Sequence, residues 1–404
     1  MPAWSSDLIL PRDTANSLAA AIETQRAGRS TLVIDAGGLG EGCSSRNGGQ
    51  VSTSIKPSYS SLRGRHNEDI AFRVRREGFE ALAFLRDFIA RERLDCDWRQ
   101  VGRFHAAHTP KHYEELAHAN DGVPKELRSS IEMVPRAEVH RELASDRYHG
   151  GAVMPKHAAV HPAKLHNELV RLARTAGANL LDRCVALSIE RTGAGFRVAT
   201  GRGVVEARDV LVATNGYTGA LTPWLRRRII PIGSYILATE PLPEADIAAM
   251  IPNDRVVSDT RRVVIYFRSS PDRRRILFGG RAALAEHDPA RVLGRLEAMA
   301  RGVLPRLGGV RSSHIWVGFV AYTFDALPHI GRHDGLHYAM GYCRSGVSLA
   351  VYFGTRIGQR VLGRKEGATA LDDLAFETRP LYAGRPWFLA PSVLAYRVLD
   401  RIGL

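Results

Sequence analysis

The sequence predicts an α/β protein in which a Rossmann-like domain is interleaved with an antiparallel-sheet α+β domain. Three observations carry this. The chain opens with a strand, a helix and a strand that ends on an acidic residue. A glycine-rich turn runs into a long helix near its end. A strand-rich block lies between the two. Signals for βαβ units recur at the start, middle and end, so the domains interleave rather than follow one another.

Leu8-Ile9-Leu10 reads as a short apolar strand, and Ala15 to Ala27 as an Ala-rich helix with Leu18, Ala21 and Ile22 at helical spacing, closed by Gly28. Thr31 to Ile34 is a second buried strand ending on Asp35, a carboxylate placed to accept hydrogen bonds from ribose hydroxyls. Gly37-Gly38-Leu39-Gly40-Glu41-Gly42 and Ser44-Ser45-Arg46-Asn47-Gly48-Gly49-Gln50 follow. Glycine at this density lets backbone approach a ligand closely, although its composition equally fits a surface loop. Ile70 to Glu92 has the pattern of a long amphipathic helix, and 95–149 is mixed and polar, part of the second domain.

His161 to Ala176 is a helix closed by Gly177, and 179–205 holds the short strands of a β-meander. Asp209 to Gly216 is a buried strand that stops on Thr214-Asn215-Gly216. From Ile229 to Ala282 strands dominate: Tyr235 to Leu237, Val263 to Phe267 and Ile276 to Phe278. This block is expected to form an antiparallel sheet carrying a substrate cavity. Val292 to Leu304 is helical, Trp316 to Ile330 is strand and loop, and Leu336 to Met340 is a strand ending on Gly341. Ser345-Gly346 then opens a helix from Val347 to Leu362, and a glycine-rich turn into a helix N-terminus is a ready anion site.

Bulk properties narrow the function. A chain of 404 residues, 45% hydrophobic and 24% charged, suits two or three ordinary globular domains. No apolar stretch approaches the ~20 residues of a membrane span, and Met1 to Pro11 lacks a secretory pattern, so a cytoplasmic location is expected. Cys43, Cys96, Cys184 and Cys343 are widely spaced, which predicts free thiols and no zinc site. The net charge of +14 is spread along the chain, mostly as Arg, with no nucleic-acid motif beside it; no nucleic-acid partner is expected. His157 and His161 flank Val160 without a third ligand, so no metal is expected.

In their order, several segments resemble the FAD-dependent oxidoreductases of the D-amino-acid oxidase and glycine oxidase superfamily, in particular the γ-glutamylputrescine oxidoreductase-like amine oxidases. They are Val33-Ile34-Asp35, Gly42 through Gln50, Val185, Val212 through Tyr217, Leu277 through Gly280, Ala326 through Gly331, Met340 through Val347, and Leu381 through Phe388. The resemblance implies an FAD-binding domain built from 1–60, 150–228 and 315–375, a substrate domain from 61–149 and 229–314, and a tail, 376–404, packing on the core. Asp35 would bind the adenosine ribose, and Val185 would pair with adenine through its backbone. Arg46, Asn47, Gly48, Gly49 and Gln50 would run beside the isoalloxazine ring. Thr214, Asn215 and Gly216 would pass near the pyrophosphate. Gly341, Tyr342, Ser345, Gly346 and Val347 would bring a helix N-terminus to the flavin pyrimidine edge, favouring negative charge there.

One departure stands out. The family opens with Gly-x-Gly-x-x-Gly, and counting back from Asp35 those positions hold Arg12, Thr14 and Ser17. Each glycine has a physical job: a tight turn, close approach to the pyrophosphate, and helix–strand packing. Three readings follow. FAD binds in an altered manner with Arg12 supplying charge; or the chain is a catalytically degenerate relative that keeps the fold; or the N-terminal sequence is damaged.

The activity implied is oxidation of a C–N bond in a small-molecule amine or amino acid, with electrons passed to oxygen or another acceptor; a homo-oligomer is compatible with it. Tyr266, Arg268 and Trp316 are the substrate-side candidates: Tyr266 and Phe267 alternate along a strand so that one faces inward, and Arg268 has the fork to clamp a carboxylate. Core packing is the competing role for the two aromatics, and a surface charge for the arginine. A nicotinamide-dependent dehydrogenase shares the first βαβ unit, but Arg46 to Gln50 and the late helix start favour flavin.

Overall fold

The computed structural model describes residues 3–11, 14–53, 55–281, 283, 288–372 and 374–403. Arg12 and Asp13 therefore lie outside the described residues. The N-terminal unit is strand β1 (Ala3–Pro11), helix α1 (Ala15–Arg26) and strand β2 (Thr31–Ile34). Gly28 has φ +80° and its N–H donates to Gln25 O, the left-handed ending that glycine adopts without strain.

β1 and β2 are central in an eight-stranded sheet whose path runs His329–His333, Leu336–Met340, Gly203–Val212, β1, β2, Asn179–Leu181. All neighbours from Leu336–Met340 onward pair in parallel, as helical crossovers require. Ala186–Arg191 and Phe196–Thr200 branch from Gly203–Val212 as an antiparallel meander. The meander expected over 179–205 therefore begins only at Ala186, because Asn179–Leu181 follows the helix Pro162–Thr175 and completes a parallel crossover at the sheet edge.

α1 is buried on nearly every side, with Leu18, Ala20 and Ala21 in the core. Its small side chains admit the long helix Gly346–Val361. A Cβ on Gly354 would lie 2.3 Å from Asn16 O, so glycine permits this approach.

The second sheet runs Ser312–Tyr322, Ile230–Thr239, Ile276–Gly280, Ile265–Ser269, Val256–Asp259, Arg103–Ala106, Gly151–Met154, Glu132–Val134. It is antiparallel except where Val256–Asp259 pairs in parallel with Arg103–Ala106. The polar stretch 95–149 thus supplies two of its strands. Gly151–Met154 and Ser312–Tyr322 also belong here, so domain boundaries at 150 and 315 would cut this sheet; we propose 155 and 323 instead. Among the described residues no helix is long and apolar enough to cross a membrane.

Within the C-terminal segment, Phe376 packs in the core beside the first sheet and stacks on His329 at 4.1 Å. The helix Leu389–Ile402 is pinned through Asp400, whose carboxylate accepts the N–H groups of Arg262 (2.8 Å) and Val263 (3.0 Å).

Candidate active site

Beyond β2 the chain turns at buried Asp35, whose carboxylate accepts the Gly37 N–H at 2.7 Å. After the short helix Cys43–Arg46 the chain crosses toward the second sheet. Asn47 shapes this crossing: Nδ2 donates to Cys43 O (3.0 Å) and Ser44 O (2.8 Å), and Oδ1 accepts the Gly49 N–H (2.8 Å). Gln50 Nε2 donates to Val257 O at 3.1 Å and ties the segment to the second sheet. Gly49 has φ +64°, and a Cβ there would stand 2.2 Å from Val160 O. Only glycine allows this path.

Leu336–Met340 delivers the other wall. Asn215 Oδ1 accepts the Gly341 N–H at 3.0 Å. Cys343 (φ 46°) and Arg344 (φ 79°) are both left-handed, a costly conformation for non-glycine residues that surrounding structure must hold in place. The helix Gly346–Val361 then starts at Ser345 without a side-chain cap. Its orphan N–H groups and positive dipole end are available to an anion or a polar ring edge.

These two segments meet at a cavity of about 430 Å³. Arg46, Asn47, Gly48, Gly49 and Gln50 line one side, and Ser345 and Val347 another. Tyr266 lines it as well. Its neighbours Ile265 and Phe267 point into the core, where Phe267 stacks on Phe278 at 5.6 Å. The Tyr266 hydroxyl lies 2.8 Å from Ser234 Oγ, and burial pushes its phenol up to about 12, so it stays protonated at neutral pH.

The remaining sequence candidates fall elsewhere. Arg268 is buried outside the lining, and its Nη2 donates to Val160 O at 2.7 Å. It braces the backbone against Gly49 rather than meeting a carboxylate. Trp316 also stands outside the lining, with its indole donating to Arg46 O at 2.9 Å. Tyr342 is buried and hydrogen-bonded to Asn16 and Ala339 O, locking the strand end to α1. Ala213, just before Thr214, accepts Thr14 Oγ1 at 3.4 Å, while Asn215 turns to Gly341 and Gly216 packs on Phe319, where a Cβ would stand 2.5 Å from its carbonyl O. Val185 is 45% exposed, and its carbonyl already accepts the Gly201 N–H at 3.0 Å.

The N-terminus of α1 is built unlike a glycine loop. Thr14 and Ser17 form a capping box: the Ser17 N–H donates to Thr14 Oγ1 (3.2 Å) and the Thr14 N–H to Ser17 Oγ (2.8 Å). The Ala15 N–H donates to Ser44 Oγ at 3.1 Å. Amides that a glycine loop would present bare to a phosphate are here served by hydroxyls.

The cavity is also basic, which sequence reasoning missed. Lys56, Arg103 and Arg344 all line it. The alternation of Arg103–Ala106 sends Phe104 and Ala106 into the core and Arg103 and His105 to the cavity. That RFHA alternation was the available signal. Arg103 Nε has no hydrogen-bond partner, and burial and then Arg344 bring the guanidinium down to about 10. Lys56 keeps open surface toward the cavity, yet the surrounding walls and then Arg344 lower it to about 8. Burial, then Arg103, lowers His105 to about 4 and His157 to about 2, so both are neutral at pH 7. Asp259 is the one carboxylate among the lining residues, and it is committed to Arg261 Nε (2.6 Å) and the Ile265 N–H (3.1 Å).

FAD fits this arrangement at the flavin end. The uncapped helix start, the Gly49 turn and the polar lining together form a cradle for a flat polar ring. At the phosphate end, hydroxyl groups of Thr14, Ser17 and Ser44 already occupy backbone N–H groups that a glycine loop would leave open to phosphate.

Comparison with known proteins agrees. The chain is 29% identical over 392 residues to γ-glutamylputrescine oxidoreductase of Escherichia coli (strain K12), covering 96% of this chain and 91% of that one. It is 31% identical over 389 residues to the probable oxidoreductase OrdL of Rhizobium meliloti (strain 1021), covering 94% and 89%. The fold is similar to that of glycine oxidase from Geobacillus kaustophilus, with TM-score 0.76, 18% identity and coverage of 93% and 99%. Residues 15–360 match the DAO family, described as FAD dependent oxidoreductase. The degenerate, non-catalytic reading is not favoured by these likenesses, and the chain belongs to the DAO family of FAD-dependent oxidoreductases.

Proposed function

We propose that this enzyme oxidises a C–N bond of a small-molecule amine or amino acid, the γ-glutamylputrescine named for its E. coli relative being one candidate among them. The observation that carries the reading is the meeting of Arg46–Gln50, Ser345–Val347 and Tyr266 around one cavity. Likeness to the E. coli oxidoreductase, 29% identical over nearly the whole chain, supports amine oxidation.

Arg46 to Gln50 and Gly341 to Val347 would hold the flavin ring. Asp35 and Val185 would face the adenosine end, and Thr214 to Gly216 with Thr14 and Ser17 the phosphates. When bound, FAD supplies a two-electron acceptor for a hydride equivalent from the carbon beside nitrogen, leaving an imine that water hydrolyses to a carbonyl compound. The protein's own groups bind and orient. The Tyr266 hydroxyl keeps its proton at neutral pH and can donate to the substrate. His105 and His157 are neutral, so they offer hydrogen bonds without charge. Ile55, Met154, Val264 and Val320 supply apolar wall that excludes water from the reacting carbon.

The test is spectroscopic. Purified protein reconstituted with FAD should be yellow, and its flavin band should bleach when an amine substrate is added without oxygen. Readmitted oxygen restores the band and yields hydrogen peroxide if oxygen is the acceptor. Protein that stays colourless after reconstitution, or a band that no amine bleaches, sinks the reading.

A further inference from the structure

Lys56, Arg103 and Arg344 share the cavity, and none of them has a carboxylate partner among the described residues. Each departs from ordinary ion-pair practice. Arg103 leaves the second sheet half-buried, with Nε unbonded. Lys56 Nζ has only the Tyr322 ring, 5.6 Å from its centroid. Arg344 lines the cavity with exposed surface from a left-handed backbone at φ 79°. Arg75, another cation in the lining beside Arg46, reaches only the Ile55 carbonyl, at 3.4 Å. The single acid in the lining is already satisfied by Arg261 and backbone N–H.

Like charges held together in a partly desolvated space repel, and an anion that enters relieves the repulsion and gains charge-assisted hydrogen bonds. A positively charged substrate meets the opposite: each cation in the wall raises its energy. Guanidinium groups match carboxylates in shape as well as charge. A single carboxylate would leave most of these cations unpaired.

We propose that the cavity takes a dicarboxylic amine of net negative charge, and that Arg103, Lys56 and Arg344 recognise the carboxylates of its non-reacting part. This rests on the amine-oxidation reading above and narrows it. The three cations set specificity; they do not act on the C–N bond.

The test uses the FAD-loaded full chain. Anaerobic bleaching of the flavin band is followed with aspartate, glutamate and N-methylaspartate as dicarboxylic amines, N-methylalanine as a monocarboxylic one, and γ-glutamylputrescine and putrescine as cationic ones. The dicarboxylic amines should show a half-saturating concentration about tenfold or more below the others, since a hydrogen bond to a charged group is worth that much. Arg103→Gln should remove this advantage, raising the half-saturating concentration of the dicarboxylic amines to that of the others. Equal or tighter saturation by the monocarboxylic or cationic amines overturns the proposal and leaves amine oxidation standing. If Arg103→Gln weakens every amine alike, or shifts only FAD affinity, the cations serve the cofactor and the proposal falls. Succinate is an independent probe that needs no turnover. It should perturb the flavin spectrum saturably in the natural enzyme and at least about tenfold more weakly in Arg103→Gln. No perturbation by succinate overturns the proposal even if no amine is oxidised.

Discussion

At the residue scale, charge in the cavity is set by a few side chains whose protonation is easily followed. Lys56 is lowered to about 8, so it is charged below that pH and neutral above it. The groups facing it are Arg344, Cys343 and Tyr322; burial raises the Cys343 thiol to about 11 and the Tyr322 phenol to about 12, so neither titrates in the same range. For an acidic substrate, kcat/KM, which reports the free enzyme, should fall as pH rises through about 8. Lys56→Gln should lose this limb, and a profile that keeps it in the variant assigns it to another group. Sequence legibility at this scale was uneven. Arg46 to Gln50, Ser345 and Val347, read from glycine density, and Tyr266, read from strand alternation, line one cavity. Arg268 and Trp316, chosen by chemistry alone, stand outside that lining on backbone carbonyls, since a sequence does not reveal which carbonyl a donor will find. Lys56 and Arg344 lie far apart in the chain and meet only through the fold.

At the element scale, the packing of α1 on Gly346–Val361 holds the first βαβ unit against the helix whose N-terminus opens on the cavity. Their approach depends on Gly354, where a Cβ would collide with Asn16 O. Gly354→Leu should lower the free energy of unfolding by about 2 kcal/mol or more, as overpacking does, read as a lower urea midpoint. An unchanged midpoint would mean that the helices separate freely. Most helices were legible from 3.6-residue periodicity and their glycine endings, as at Gly28 and Gly177. Asn179–Leu181 was misplaced because three apolar residues carry no mark of parallel or antiparallel pairing; the preceding crossover helix decides it.

At the scale of the whole molecule, the C-terminal helix acts on the cavity from a distance. Asp400 holds the N–H groups of Arg262 and Val263, just before the strand that carries Tyr266. His108 Nε2 also lies 2.9 Å from Asp400 O. Removing 389–404 should loosen that approach, raising KM for the amine while the flavin absorbance per protein is retained. Loss of bound flavin with KM unchanged would show instead that the helix supports the cofactor half. Interleaved domains were legible from recurring βαβ signals, whereas the reach of the second sheet into 151–154 and 312–322 was not, because edge membership depends on partners distant in sequence.

The self-capped start of α1 has a consequence for how the chain would take up its cofactor. Where a phosphate-binding helix depends on its ligand to satisfy its first amides, this one arrives with the N–H groups of Thr14, Ala15 and Ser17 already met by Ser17, Ser44 and Thr14. Folding is thereby uncoupled, at this point in the chain, from cofactor supply. Cofactor loading at this helix would then exchange hydroxyl partners for phosphate oxygens rather than complete an unfinished helix.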